Sequence, residues 1–207
     1  MVRSRLQFNG AVYQEDWKNV QVGLFDPCCL GNVNFIVNGP IYRVRGVETE
    51  IVARVAHGLT ATGSAAWNSS DLTNSPYLIG INGQPITSFP NPYGPTGSPL
   101  AQSPPFEGNL RIRYEYDIGE YQAFWQAGGT HQAHSYSAAG NIQIYDQASF
   151  STYDASTGVS RGAWSLQVYG QNLTDTRANL FSSDAQFVHA EIVNRPRTVG
   201  LSYSFKF

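Results

Sequence analysis

Residues 199–207 alternate with a period of two. Val199, Leu201, Tyr203, Phe205 and Phe207 fall on one side, and Gly200, Ser202, Ser204 and Lys206 on the other. Successive strand side chains point to opposite faces, so this stretch is a β-strand with one apolar and one polar face. The same alternation recurs in seven further segments, at about 6–14, 42–55, 59–67, 109–117, 121–128, 149–159 and 164–172. A chain patterned this way is all-β and antiparallel. What covers its apolar face, protein or lipid, decides what it does.

The connections sort into two kinds. Residues 56–58, 117–120 and 160–163 are tight turns that contain glycine. The others, at about 15–40, 68–105, 135–146 and 173–190, are long. Short and long alternate, which puts all short turns at one end of the sheet and all long loops at the other. Eight of the 11 prolines fall between Pro76 and Pro105. Proline cannot donate to a ladder, so the 68–105 loop is expected to be mobile.

Composition narrows the choice. Only 14% of residues are charged, against about 25% in ordinary soluble domains. A net charge of -2 gives no basic field for nucleic acid. No run approaches the roughly 18 apolar residues of a membrane helix, and the opening "MVRSRLQFNG" lacks the apolar core of a secretory signal.

Three features favour lipid. Segregated turn lengths characterise outer-membrane barrels. Tyr114, Tyr116, Tyr121, Trp164, Tyr203, Phe205 and Phe207 gather at the short-turn ends of the apolar face, where an interfacial girdle belongs. The apolar rows have the length a tilted strand needs to cross a bilayer. Facing Arg111 and Arg113 into lipid costs about 2–4 kcal/mol each near the midplane, so they are expected to face the lumen. Glu48, Glu50, Arg54 and Glu115 are expected to join them, as an interstrand ion ladder or as contacts for a plug or substrate. A soluble β-sandwich binding module would also alternate, with one face dry.

The closing residues Arg195-Pro196-Arg197, Gly200 and Phe207 resemble the last strand of TonB-dependent outer-membrane receptors. "AVYQEDWKNVQV" at 11–22, "RGVETEIVARV" at 45–55 and "WSLQVYGQNLTD" at 164–175 resemble earlier strands of that family, in family order. The resemblance implies an antiparallel transmembrane β-barrel portion of about eight strands, with short periplasmic turns and long extracellular loops. A complete receptor of this kind has a plug and a barrel of about 22 strands. Residues 1–207 are therefore expected to be the C-terminal part of the barrel, without plug or signal peptide. The implied function is uptake of a scarce ligand such as a ferric siderophore across the Gram-negative outer membrane. The implied partners are outer-membrane lipid, the barrel-assembly machinery, a small ligand at the extracellular loops, and the TonB complex through the plug. Gly200, Tyr203, Phe205 and Phe207 are the expected assembly signal. The alternative is a complete eight-stranded barrel with a structural or adhesive role.

No enzyme, cofactor or metal site is expected. His131 and His134 are three apart and would point to opposite faces of a strand. His189 near Asp184 suggests a hydrolase inventory, but no nucleophile motif accompanies it. The adjacent Cys28 and Cys29 have no zinc-site spacing, and either a loop thiol pair or a disulfide to a part of the protein outside these 207 residues fits them. "NLT" and "NSS" are glycosylation acceptors only in a eukaryotic secretory setting.

Overall fold

The computed structural model describes residues 5–26, 33–88, 90–138, 145–183 and 188–207. Cys28, Cys29 and Asp184 lie outside them. Its centre is one eight-stranded antiparallel sheet in the order β1-β4-β5-β6-β7-β10-β11-β14. Those strands are β1 (Leu6–Trp17), β4 (Ile41–Ala56), β5 (Leu59–Asn74), β6 (Phe106–Ile118), β7 (Tyr121–Gln132), β10 (Phe150–Arg161), β11 (Trp164–Gln171) and β14 (Thr198–Phe205). Sequence neighbours pair in turn, and β1 and β14 form the two edges.

The short connections are two-residue turns at 57–58, 119–120 and 162–163. Each places one glycine at positive φ, namely Gly58, Gly119 and Gly162, as tight hairpins between right-twisted strands require. Three long connections carry hairpins of their own. These are β2 (Gln21–Asp26) with β3 (Val33–Asn38), β8 (Ser135–Tyr136) with β9 (Asp146–Gln147), and β12 (Asn179–Ser183) with β13 (Ala190–Val193).

Cross-strand registers sort every side chain onto one of two faces. Asn9, Glu50, Ser64, Asn109, Thr130 and Thr152 form one unbroken row across six strands. The row beside it, on the opposite face, is Phe8, Ile51, Gly63, Leu110, Gly129 and Tyr153. The apolar face packs on no other protein layer among the described residues: Leu110, Val199 and Leu201 are all exposed. A sandwich would need a second sheet there. Among the described residues the buried hydrophobic ones are Tyr42, Leu72, Tyr93, Ala123 and Ala178, too small a core to hold a soluble domain of this size.

Most of that small core lies at the long-connection end. Tyr42 and Leu72 stand on the polar face of β4 and β5, and Tyr93 closes over them with Val20, Val22, Val37, Leu78 and Leu100. The hairpin β2–β3 and the proline-rich connection thus fold inward over the sheet. The proline-rich stretch, in which composition gave no sign of pairing, therefore has defined partners. Asn91 Nδ2 donates to the carbonyls of Ser75 and Pro76, each at 3.1 Å. Backbone bonds Leu72 N to Ser98 O and Gly97 N to Leu72 O, both 2.8 Å, fasten the returning chain to β5. Proline's missing N–H matters little where side-chain amides and carbonyls supply the partners. Digestion of the intact receptor by a protease of broad specificity should therefore cut within 79–85 and spare 90–105. Tyr42→Ala, which removes the centre of this core at about 3–5 kcal/mol, should expose 90–105 to cleavage. Tyr42→Phe should not, because the Tyr42 hydroxyl is buried with no hydrogen-bond partner among the described residues.

Candidate functional site

The face away from the polar row carries two aromatic bands. At the short-turn end, Tyr114 stacks on Tyr116 at 5.3 Å and meets Trp125 at 6.2 Å, while Tyr121 meets Trp164 at 6.1 Å. Trp164 and Leu166 of β11 stand opposite Phe205 and Tyr203 of β14, which extends the band to the sheet edge. Nearer the long-connection end, Trp67 packs on Phe106 at 5.1 Å and Phe106 on His131 at 5.9 Å. On β6 the bands are Phe106 and Tyr114, roughly 27 Å apart along the strand at about 3.4 Å per residue. Tilted by about 35–45°, that spans about 19–22 Å, somewhat less than a barrel's apolar band of about 25 Å. Beyond the second band the same face turns polar. There Arg43 Nε donates to Asp16 Oδ1 at 2.7 Å and Arg45 Nε to Gln14 Oε1 at 2.9 Å. The second band escaped the sequence reading because Trp67 ends one segment read as a strand and Phe106 precedes the next; parity with Ala65 on β5 and with Leu110 on β6 was the available signal.

The opposite face holds all six charged residues singled out from the sequence. Glu48, Glu50, Arg54, Arg111, Arg113 and Glu115 share it. They do not form an interstrand ion ladder. Their direct cross-strand neighbours are Ala11 and Ala66 for Glu48, Asn9 and Ser64 for Glu50, and Thr60 for both Arg54 and Arg113. None of these six stands directly across from an opposite charge. Arg113 instead pairs along its own strand with Glu115 at 2.8 Å, its guanidinium 3.9 Å above the Phe124 ring. Glu50 accepts from Asn9 Nδ2 at 3.1 Å. A groove of about 650 Å³ runs past Asn9, Glu48, Glu50, Ser64 and Asn109. A second, of about 600 Å³, runs past Arg111, Gln126, Asp154, Gln167 and Tyr169. The first is lined by the carboxylates of Glu48, Glu50 and Glu107, and the second sets Arg111 and Asp154 among amides and hydroxyls.

The histidines do not assemble a site. His131 Nδ1 lies 2.8 Å from Ser151 Oγ on the outward face, and His134 pairs with Asp146 in the long connection. His189 Nε2 lies 3.1 Å from Glu191. Among the described residues no three metal-ligating side chains converge.

The stretches "NLTD" and "RPR" form a clasp at the base of the β12–β13 hairpin. The buried Asn172 donates through Nδ2 to the carbonyls of Thr176 and Arg195, both at 2.9 Å, and its own N–H donates to Asp154 Oδ1 at 2.8 Å. Its amide is thus committed within the chain and is no glycan acceptor. Asp175 accepts from the Arg197 N–H at 2.8 Å and from Arg177 Nη2 at 3.1 Å. The backbone bond from Arg197, then the bond from Arg177, hold the Asp175 carboxyl below its usual value. A depressed carboxylate stabilises the folded form above its unfolded pKa, and that contribution is lost as pH falls through the folded value. Hydrogen exchange at the Arg197 amide, relative to its intrinsic rate at each pH, should therefore accelerate below about pH 4. In Asp175→Asn it should be faster at neutral pH and lose this dependence.

A family model described as TonB dependent receptor-like, β-barrel, matches residues 2–173. The chain belongs to the TonB-dependent receptor β-barrel family. The family comprises transport receptors rather than enzymes, and its barrels lie in the Gram-negative outer membrane, where this sheet is a portion of barrel wall. A search of curated proteins gave no match. Among solved structures, the ferric yersiniabactin uptake receptor FyuA from Yersinia pestis is similar at a TM-score of 0.74 and 19% identity, over 99% of this chain and 28% of its own. The siderophore receptor PiuA from Acinetobacter baumannii gives 0.72 and 19%, over 98% of this chain and 26% of its own. The copper transporter OprC gives 0.69 and 16%, over 100% of this chain and 30% of its own. The chain thus spans between about a quarter and a third of the length of these neighbours.

Two glycines on which the receptor resemblance rests have a physical explanation. Gly46 lies opposite Tyr13 and Gly200 opposite Tyr169. In each pair the tyrosine ring lies over the glycine, where a Cβ would stand. Phe124 covers Gly158 and Tyr153 covers Gly129 in the same way. Aromatic cover of a cross-strand glycine pins register in curved sheets. Of the residues expected to signal assembly, Gly200 therefore stands on the polar face under Tyr169, while Tyr203 and Phe205 stand on the outward face. Phe207 follows the end of β14, its ring 5.4 Å from that of Phe205.

Proposed function

We propose that residues 1–207 are the C-terminal wall of a TonB-dependent receptor that takes up a scarce ligand such as a ferric siderophore. The observation that carries the reading is the two-faced sheet, whose apolar face is bracketed by aromatic bands and whose opposite face holds the charged side chains. In this reading the banded face meets lipid, and Glu48, Glu50, Arg54, Arg111, Arg113 and Glu115 line the lumen. The short turns are periplasmic and the long connections extracellular, where the ligand binds. Energy reaches the barrel through a plug and its TonB partner. Tyr203, Phe205 and Phe207 guide insertion by the assembly machinery, and no catalysis is assigned.

The test is the complete reading frame, produced in a Gram-negative host deleted for its own receptors. Ligand-limited growth should depend both on that frame and on a functional TonB complex. The open edges β1 and β14 favour the wall over a self-contained barrel. A monodisperse, heat-resistant monomer formed by the 207-residue chain alone in detergent would instead establish the eight-stranded alternative.

A further inference from the structure

From Leu72 to Phe106 the chain contains no Asp, Glu, Lys, Arg or His, although 14% of all residues carry a charge. This stretch supplies the connection that folds inward over the polar face through Tyr42, Leu72 and Tyr93. Its tip is a small hairpin. Ile86 N donates to Leu78 O and Gly80 N to Gln84 O, both at 2.8 Å, and Ile79 bridges Pro85. Leu78 packs on the buried cluster, whereas Tyr77, Ile79 and Ile81 are exposed, Ile81 completely. In an extended segment those three share one side, opposite Leu78. An apolar edge thus stands on a rigid base at the long-connection end, and the surrounding polarity comes from amides such as Asn82 and Gln84.

The neighbouring connections do not supply the missing charge. Arg177 is held by Asp175, Arg43 by Asp16 and His134 by Asp146. The exposed Lys18, Arg195 and Arg197 sit at the roots of their connections, directly after β1 and just before β14. A multiply charged anion brought against the tip would lose hydration without gaining a cation from residues 72–106. An uncharged ligand with an apolar flank loses little and covers Tyr77, Ile79 and Ile81.

We infer that the tip at 77–81 is a ligand-contact site for an electrically neutral metal chelate with an apolar flank, not for a polyanionic one. The inference rests on the receptor reading above and names the ligand class of that same mouth. The test uses the full-length receptor, purified from outer membranes, with two probes: a net-neutral ferric trihydroxamate and a trianionic ferric tris-catecholate. The neutral probe should bind at least about tenfold more tightly. Ile81→Asp and Ile81→Lys should each weaken it about tenfold, since either charge disrupts an apolar contact, and Ile81→Leu should not. The inference is overturned if the trianion binds as well as the neutral probe, if neither binds, or if both charged variants bind the neutral probe normally. A full-length protein absent from the outer membrane would instead overturn the receptor reading itself.

Discussion

Gly200→Ala in the full-length receptor should reduce the folded barrel in the outer membrane several-fold, and Tyr169→Ala in the same molecule should restore it. The nearest atoms to a Cβ at Gly200 all belong to the Tyr169 ring, so shortening that one side chain removes the conflict. Overpacking of this kind costs about 1–3 kcal/mol, enough to shift a marginal folding step. Gly46→Ala should be harder to rescue. Its Cβ would meet the Tyr13 ring and also the Trp67 carbonyl oxygen at 2.8 Å, and a backbone oxygen moves only with its strand. Tyr13→Ala should therefore restore Gly46→Ala in part. The pair of experiments separates a packing socket from a recognition signal. If the assembly machinery reads the glycine itself, Tyr169→Ala will not restore Gly200→Ala.

Leu110→Arg should lose most of the folded receptor, whereas Asn109→Arg should lose little. Leu110 stands midway between Phe106 and Tyr114 on the banded face, and Asn109 stands beside it on the other. An arginine at the bilayer midplane costs about 2–4 kcal/mol, and one in a hydrated lumen costs almost nothing. Urea unfolding of the two variants in lipid vesicles measures the difference directly. Equal destabilisation of both would mean that the two faces see the same surroundings.

The eight strands of the sheet were legible because each sequence alternates wherever one face is apolar. Their outer ends were not. The reading of β5 stopped at Trp67, yet the strand runs to Asn74, because "NSSDLTN" has polar residues on both faces and leaves no period to read. The hairpins β2–β3, β8–β9 and β12–β13 are short and carry no such period either. Prolines at 68–105 gave no sign of pairing, and the contacts of Asn91 and Tyr93 are ones that only the folded chain brings together. At the site, the sequence placed the six charged residues on one face, since parity within a strand suffices for that. It could not pair them, because pairing depends on register, and register sets Thr60 and Ser64 where opposite charges would have been needed. Register likewise hid the partner of Gly200: Tyr169 is 31 residues away in sequence and directly opposite in the sheet.

The central claim is that the banded face meets lipid and the charged face meets water. Single cysteines at Leu110, Leu201, Asn109 and Ser202, in a full-length receptor with Cys28 and Cys29 replaced by serine, can each carry an environment-sensitive fluorophore in bilayers of brominated lipid. Strong quenching and blue-shifted emission at 110 and 201, with neither at 109 and 202, is the expected result. Quenching at 109 and 202, or at all four positions alike, would contradict the account.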